Sequence, residues 1–280
     1  MIIKRILIPT DGSDYGKTAI EYGIYIAKQL DAQLIGLHVM DIRLMQGPVF
    51  TDISGSVGLP PYQEFIPMLQ ESLDEKAENI LQAFKARCEE AGLQPEIKKA
   101  VGVIDEMIIE EGRNADWILL AQRGEHFHSG GGSILGSTAE SVVRKSGKPV
   151  IVTPAFFREI ESMGLAYDGS VPAGNALKLA VELSERASWP LTIIIITDDH
   201  SLGASLTKKI EDFLEPHKID CETIILGGKE NVEIIKFIQE GPVELMVMGA
   251  YGHNRLRELI LGSTTSYVIR KSTIPVLLTR

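Results

Sequence analysis

Gly249-Ala250-Tyr251-Gly252, followed after nine intervening residues by Gly262-Ser263, is the stretch around which this 280-residue chain is organised. An apolar run at 243–248 precedes it and a helical pattern at 263–271 follows it, which predicts strand, glycine loop and helix in that order. Glycines let a ligand approach the main chain closely, and the free N–H groups of a helix start attract anions. Ser263 is predicted to cap the helix and to donate its hydroxyl. The stretch predicts a phosphate site, although an ordinary turn that needs glycine for its φ angles is the alternative.

Length and composition limit the number of domains and the kinds of partner and site that this protein can have. The chain is longer than a usual domain of roughly 100 to 200 residues, so two domains are expected. A net charge of −10 argues against nucleic acid as a partner, because that affinity depends on clustered Lys and Arg. Cys88 and Cys221 lie far apart and indicate neither a disulfide framework nor a zinc site. With no predicted signal peptide or membrane span, we expect a cytoplasmic protein.

The two halves of the chain repeat each other. The segment 6–13 ends in Asp-Gly-Ser, and the segment 163–170 ends in the same tripeptide at an offset of 157. Near the other end of each half, Leu135-Gly136-Ser137-Thr138 corresponds to Leu261-Gly262-Ser263-Thr264. This internal similarity predicts a tandem duplication, with domains at 1–154 and 160–280.

Apolar runs and helical patterns alternate within each half, which is typical of parallel strands joined by crossover helices. The first half is predicted to contain strands at 2–9, 34–39, 96–101, 117–121 and 149–153, with later helices at 73–91, 106–113 and 137–146. The second half is predicted to contain helices at 173–187, 204–214, 232–240 and 263–271 between its strands. The predicted fold class is α/β, with a five-stranded parallel sheet in each half.

Two irregular segments interrupt this pattern. Residues 44–67 hold several Gly and Pro residues and are predicted to form a largely irregular, partly mobile insertion, unless their aromatic residues pin it to a partner or to the other half. The junction between the domains is predicted at 155–159. We expect Phe156 and Phe157 to pack between the halves, with a surface linker as the alternative.

Asp168 follows the first strand of the second half, as Asp11 does in the first half. Ligands of parallel α/β sheets lie beyond the carboxyl ends of the strands, where the strand order reverses. A carboxylate there repels phosphates, so its expected partner is a ribose hydroxyl or a base amine. The alternative is a turn or helix-capping carboxylate, because Asp-Gly-Ser is also an ordinary turn sequence.

Taken together, these motifs resemble the universal stress protein family in its form with two domains on one chain. Gly249, Gly252, Gly262 and Ser263 match the family's ATP-binding signature, Gly-x2-Gly-x9-Gly-Ser/Thr. The resemblance implies a Rossmann-like fold similar to that of adenine nucleotide alpha hydrolases. It also implies ATP or another adenine nucleotide as the ligand, with or without Mg²⁺. Association through the last strand of each domain, giving an intramolecular pseudo-dimer, is a further implication.

The resemblance also implies roles for individual residues. The aspartate after the first strand would bind the ribose, residues at the tips of the second and fourth strands would contact the adenine, and the glycine loop would bind the phosphates. In the second half the candidate residues are Tyr167, Asp168, Ile196, Met248, Gly249, Gly252, Gly262, Ser263 and Thr264. The weaker candidates in the first half are Asp11, Val39, Gly124, Gly136 and Ser137.

The first half departs from the signature. Ala121 replaces the first glycine, and eleven residues instead of nine separate Gly124 from Gly136. The glycine run at 129–133 can restore a group of backbone N–H donors that binds an anion, or it can be a flexible loop without that role. The flexible loop is favoured, because ordering such a run on binding costs conformational entropy. His126 and His128 form a conceivable metal pair, but without a third ligand exposed histidines are the preferred interpretation.

Three functions are compatible with these residues. The preferred one is a stress-response regulator or sensor that holds ATP mainly in its second half and hydrolyses it slowly or not at all, since no general base is evident. The alternative is an interaction or scaffold module without useful nucleotide affinity. A nucleotidyl or phosphoryl transferase is the third, and no second carboxylate or His constellation supports it. A homodimer remains open, and the protein partner is unknown.

Overall fold

The computed structural model describes residues 3–43, 65–124, 136–241, 243–250 and 261–280; for the helical residues 65–69 it describes the backbone alone. The elements of the first half are β1 (Arg5–Pro9), α1 (Asp14–Leu30), β2 (Gln33–Asp41), α2 (Phe65–Glu90), β3 (Glu96–Gly102), α3 (Ile104–Gly112), β4 (Trp117–Ala121), α4 (Ser137–Lys145) and β5 (Val150–Thr153). Those of the second half are β6 (Met163–Ala166), α5 (Val171–Ala187), β7 (Leu191–Ile196), α6 (His200–Leu214), β8 (Cys221–Leu226), α7 (Glu230–Glu240), β9 (Leu245–Gly249), α8 (Ser263–Lys271) and β10 (Val276–Thr279).

Within these described ranges the strands form one ten-stranded sheet in the order β3-β2-β1-β4-β5-β10-β9-β6-β7-β8. Each half contributes five strands that are parallel to one another, and the two halves meet where β5 pairs with β10 in antiparallel fashion. The predicted α/β class, the two tandem parallel sheets and the intramolecular pseudo-dimer are confirmed. Because the last strands pair with each other, neither is left as an open edge that can template aggregation.

The contact between the halves is reciprocal. Ile151 of β5 pairs with Leu277 of β10, and both side chains are fully buried. The buried Gln122 amide, just after β4, donates to the carbonyls of Ile269 and Ser272 at the end of α8, at 2.7 and 3.0 Å. In the opposite direction, the Arg280 guanidinium donates to the Arg144 carbonyl at the end of α4. Each half thus supplies donors for helix-end carbonyls that the other half leaves open.

Helices cover both faces of the sheet. One apolar cluster joins the sheet to α1, α2, α5 and α6, and it extends through both halves. The second cluster does the same on the opposite face with α3, α4, α7 and α8. Strands buried on both faces explain the continuous apolar runs of the sequence. In the described part of the chain, no helix is long and apolar enough to cross a membrane.

Several helices begin earlier than predicted. Helix α2 begins at Phe65 rather than at 73, so residues 65–67 of the predicted insertion are helical. Pro67 did not prevent this, because a proline in the first turn of a helix lacks only an N–H that would have no intrahelical partner. Helix α6 begins at His200 because the Asp199 carboxylate accepts from the N–H groups of Ser201 and Leu202. The remainder of the predicted insertion, 44–64, lies outside the described residues.

The linker between the halves is held against α1. The Tyr22 hydroxyl donates to the Phe156 carbonyl and accepts from the Arg158 N–H, each at 3.1 Å. The Phe157 ring packs edge-on against Tyr22, with ring centroids 4.9 Å apart. The Phe156 side chain, in contrast, is 80% exposed. The prediction that both phenylalanines pack between the halves is therefore wrong for Phe156, whose backbone is fixed while its ring points to solvent.

Candidate functional site

The Asp-Gly-Ser tripeptide forms the same turn in both halves. The Asp168 Oδ1 atom accepts from the Ser170 N–H at 2.9 Å, and Asp11 Oδ1 does so from Ser13 at 3.0 Å. The following glycine has a positive φ in each copy, which a residue with a side chain rarely adopts. The serine then caps the next helix, and Ser170 Oγ accepts from the Ala173 N–H at 3.2 Å. One oxygen of each aspartate therefore has the turn role that the sequence left as an alternative.

A cavity of about 230 Å³ lies at the carboxyl ends of β6, β7 and β9, beside the start of α8. Of the predicted second-half residues, it collects Tyr167, Asp168, Ile196, Met248, Gly249, Gly262, Ser263 and Thr264. This position is the crevice where the strand order of a parallel sheet reverses, because β6 lies between β9 and β7. Residues that are far apart in the chain are thus assembled around one concave surface.

The start of α8 supplies an open approach to backbone donors. Gly262, and not Ser263 as predicted, is the N-cap, and no side chain in the described part of the chain caps the first turn. Its φ of −56° and ψ of 144° suit any residue, so this turn does not need glycine for its backbone angles. Among the residues that the structure describes, a Cβ atom at Gly262 would contact only Thr265 Oγ1, at 3.7 Å. The missing side chain therefore leaves space in the cavity itself, where the free N–H groups of the first turn favour an anion.

Gly249 differs from Gly262 in its surroundings. A Cβ atom at Gly249 would lie 2.8 Å from the Ala173 nitrogen and from the Pro172 carbonyl carbon. The end of β9 thus abuts the first turn of α5, and only glycine fits between them. The requirement for Gly249 is one of packing, in addition to its place on the cavity wall.

Apolar and aromatic side chains form the other walls. Met248 is 5% exposed, and Ile196 and Tyr167 are half-buried. Burial raises the pKa of the Tyr167 hydroxyl, and the neighbouring Asp168 carboxylate raises it further. The hydroxyl is therefore neutral at physiological pH and can donate or accept a hydrogen bond.

The cavity also contains residues that the sequence analysis missed. They are Ala166, Ser170, Ala173, Ile194, Glu230, Ile234 and Thr265. Glu230 matters most for the chemistry: it is the first residue of α7, and its Oε2 atom accepts from the Thr264 hydroxyl at 3.3 Å. An acidic residue in the first turn of a helix is so common that its sequence carries no signal of a site; only the sheet order shows that α7 and α8 meet here.

Some predicted features cannot be placed. Gly252 of the signature, together with His126, His128 and the glycine run at 129–133, lies outside the described residues. Among the described residues, no group of three or more His, Cys, Asp or Glu side chains is arranged to hold a metal ion.

The first half brings its candidates together differently. A Cβ atom on Gly124 would lie 2.8 Å from Asp11 Oδ2, so this carboxylate packs against the start of the loop. The Arg123 guanidinium lies over the Tyr15 ring, 5.7 Å from its centroid, and donates to the Tyr15 hydroxyl at 3.3 Å. Because Tyr15 lies in the first turn of α1 and Arg123 follows β4, this contact joins the ends of these two elements. Val39 lies on β2, and Gly136 and Ser137 lie at the start of α4.

Comparison with known proteins agrees with this architecture. The model of the universal stress protein family matches residues 3–154 and again residues 159–280. Universal stress protein Slr1230 of Synechocystis sp. is 31% identical over 285 residues, which cover 98% of this chain and 99% of that protein. Universal stress protein MJ0577 of Methanocaldococcus jannaschii is 32% identical over 157 residues, covering 54% of this chain and 95% of its own.

A solved structure shows the same fold over both halves. The crystal structure of a universal stress protein from Archaeoglobus fulgidus covers 99% of this chain and 96% of its own, with a TM-score of 0.76 and 24% sequence identity. Since one family model matches twice and a relative is similar along its whole length, the chain belongs to the universal stress protein family, with two copies of the family domain in tandem.

Proposed function

We propose that this chain is an adenine-nucleotide-binding stress-response regulator or sensor that holds ATP, with or without Mg²⁺, in its second half. The observation that carries the proposal is the cavity at β6, β7, β9 and α8, where an acidic strand tip, apolar walls and a helix start with a glycine N-cap face one space. The domain limits that accompany the proposal are 1–154 and 160–280.

Each wall of the cavity suits one part of a nucleotide. Ile196 and Met248 present apolar surface to a base, and a methionine side chain adapts its shape readily. Asp168 accepts hydrogen bonds and suits ribose hydroxyls. Ser263 and Thr264 add hydroxyls to the N–H groups at the start of α8, where phosphate is favoured. The volume of about 230 Å³ is below the roughly 300–1,000 Å³ of a typical small-molecule site, so the described cavity accommodates part of a nucleotide.

The first half is proposed to be a weakened site. Asp11 packs against Gly124, and Arg123, just after β4, contacts Tyr15 in the first turn of α1. A nucleotide would have to displace these contacts before binding, which lowers its affinity by the cost of breaking them.

An interaction module is the second candidate function. Its supporting observation is Phe156, a large apolar side chain that is 80% exposed on a linker with a fixed backbone. Failure of the native chain to bind any nucleotide would make this the account to pursue.

Calorimetric titration of ATP and Mg²⁺ into the native chain and into Gly262→Val tests the nucleotide proposal. We expect one site per chain at micromolar affinity, and loss of binding in the variant because its branched side chain occupies the cavity. Gly147→Val is the matched control, since a Cβ atom there meets no described residue within 4 Å. The absence of heat and of thermal stabilisation with the native chain would refute the proposal, and unchanged affinity in Gly262→Val would refute the assigned phosphate position.

A further inference from the structure

Glu230 distinguishes the second half from the first. Ile35 of β2 and Thr192 of β7 are equivalent residues at the offset of 157, and they pair with Glu96 of β3 and Glu222 of β8. Glu96 and Glu222 are therefore equivalent, so residue numbers in β3 and α3 differ by 126 from their equivalents in β8 and α7. At that offset Lys229, the N-cap of α7, corresponds to Val103, the N-cap of α3. Glu230 therefore corresponds to Ile104, which packs against the apolar cluster. The acid at this place belongs to the second half alone.

The position of the Glu230 carboxylate places it in competition with a phosphate group. The Thr264 hydroxyl donates to Glu230 Oε2 at 3.3 Å, and Thr264 is the second residue of α8. A phosphate bound at this helix start would use the same hydroxyl. It would also bring further negative charge beside the Glu230 carboxylate.

Charge around the cavity favours the same conclusion. Its described lining contains two carboxylates, Asp168 and Glu230. Like charges a few ångströms apart repel each other, and the partial positive charge of one helix start offsets only part of this repulsion. Adenosine carries no such charge, whereas metal-free ATP carries several.

We propose that Glu230 is a specificity-determining residue that lowers the affinity of the site for an uncomplexed phosphate chain, so that adenine ligands bind best when uncharged or when a divalent cation neutralises their phosphates. This inference rests on the proposed function, because it concerns the ligand of the same cavity. Glu230 selects by repulsion, which is a common route to specificity.

Titrations of adenosine and of ATP in EDTA into native protein, Glu230→Gln and Glu233→Gln test the inference. We expect Glu230→Gln to bind metal-free ATP about three- to tenfold more tightly than the native chain, as expected for removing one partly screened charge. Adenosine affinity should change less than about twofold, because this ligand has no phosphate to repel. The gain should shrink when Mg²⁺ or salt is added.

Glu233→Gln is the matched control, since it removes the same charge one turn further along α7 and does not line the cavity. It should leave both affinities unchanged. Glu230 is exposed, so its substitution should not alter the melting temperature.

The outcomes separate the two proposals. If native and Glu230→Gln proteins bind adenosine but have equal affinities for metal-free ATP, the inference is wrong and the nucleotide site stands. Weaker ATP binding in Glu230→Gln would also overturn it, because Glu230 would then assist binding. If neither protein binds adenosine or ATP, the proposed function fails and the inference fails with it.

Discussion

Two glycines of the same motif are required for different physical reasons. Gly249 lies where a Cβ atom would collide with the backbone of α5, at 2.8 Å. At Gly262 a Cβ atom would meet no described atom closer than 3.7 Å, and the backbone angles there suit any residue. The sequence shows both only as glycine. Their roles separate once the surroundings of each are known, and Gly262 is the one whose substitution can report on a ligand without disturbing the fold.

Stability measurements on Gly249→Ala and Gly262→Ala should show this difference. We expect Gly249→Ala to lower the free energy of unfolding by about 1–3 kcal/mol, as forced overpacking does. Gly262→Ala should leave it unchanged or raise it by up to about 1 kcal/mol, through the reduced entropy of the unfolded chain. Chemical denaturation measures both values. Equal losses in the two variants would contradict the packing explanation.

At the scale of elements, an acidic residue links neighbouring helices in each half. Asp105 of α3 accepts from Ser141 at 2.5 Å and from Lys145 at 2.8 Å, both on α4. Burial alone would raise the pKa of Asp105, but the hydrogen bonds from Lys145 and Ser141 and the positive charge of Lys145 lower this pKa overall. In the second half the link from Glu230 to Thr264 joins α7 and α8, and there it borders the cavity.

The Asp105 link predicts a dependence of stability on pH. A carboxylate whose pKa is lowered by folding stabilises the protein above its unfolded pKa of about 3.9 and loses that contribution as the pH falls through the folded value. Asp105→Asn should therefore lower the free energy of unfolding by about 1 kcal/mol at pH 7, a value reduced because Lys145 is partly exposed. The difference from the native chain should shrink as the pH falls below about 3.9 and vanish once the pH is below the folded pKa.

Urea denaturation at pH 7 and at pH 3 measures this difference. Glu106→Gln is the control, because Glu106 is exposed in the same turn of α3. If the free energies of unfolding of Asp105→Asn and the native chain differ as much at pH 3 as at pH 7, the stabilisation by Asp105 does not come from its charge.

Sequence patterns predicted which helices and strands exist more accurately than they predicted the residues at which these begin. Continuous apolar runs predicted the strands, because a strand buried on both faces has no polar side. The early starts of α2 and α6 were missed because they depend on a tolerated proline and on the Asp199 cap. For the site, glycine spacing and repeated tripeptides predicted residues that the fold brings to one cavity. Glu230 could not be predicted, since its partner Thr264 is 34 positions away and is brought near by the order of the strands.

At the scale of the whole molecule, the halves are similar in fold and unequal in their crevices. They share one sheet through β5 and β10 and exchange donors at the ends of α4 and α8. The Gln122 amide that serves this exchange stands where the second half has Ala250, at the start of the loop. The first half therefore uses the beginning of its loop for the contact between halves, whereas the second half has a buried alanine at the corresponding place.

The central claim, that nucleotide binds in the second half, can be tested directly by methyl NMR of methionine-labelled native protein during titration with ATP and Mg²⁺. Met248 lines the cavity, and the buried Met40 follows Val39, the first-half counterpart of Ile196. Met248→Leu and Met40→Leu assign the two signals. We predict a saturable shift of the Met248 methyl signal with no shift for Met40. A shift confined to Met40, or saturation of ATP binding with the Met248 signal unmoved, would contradict the account.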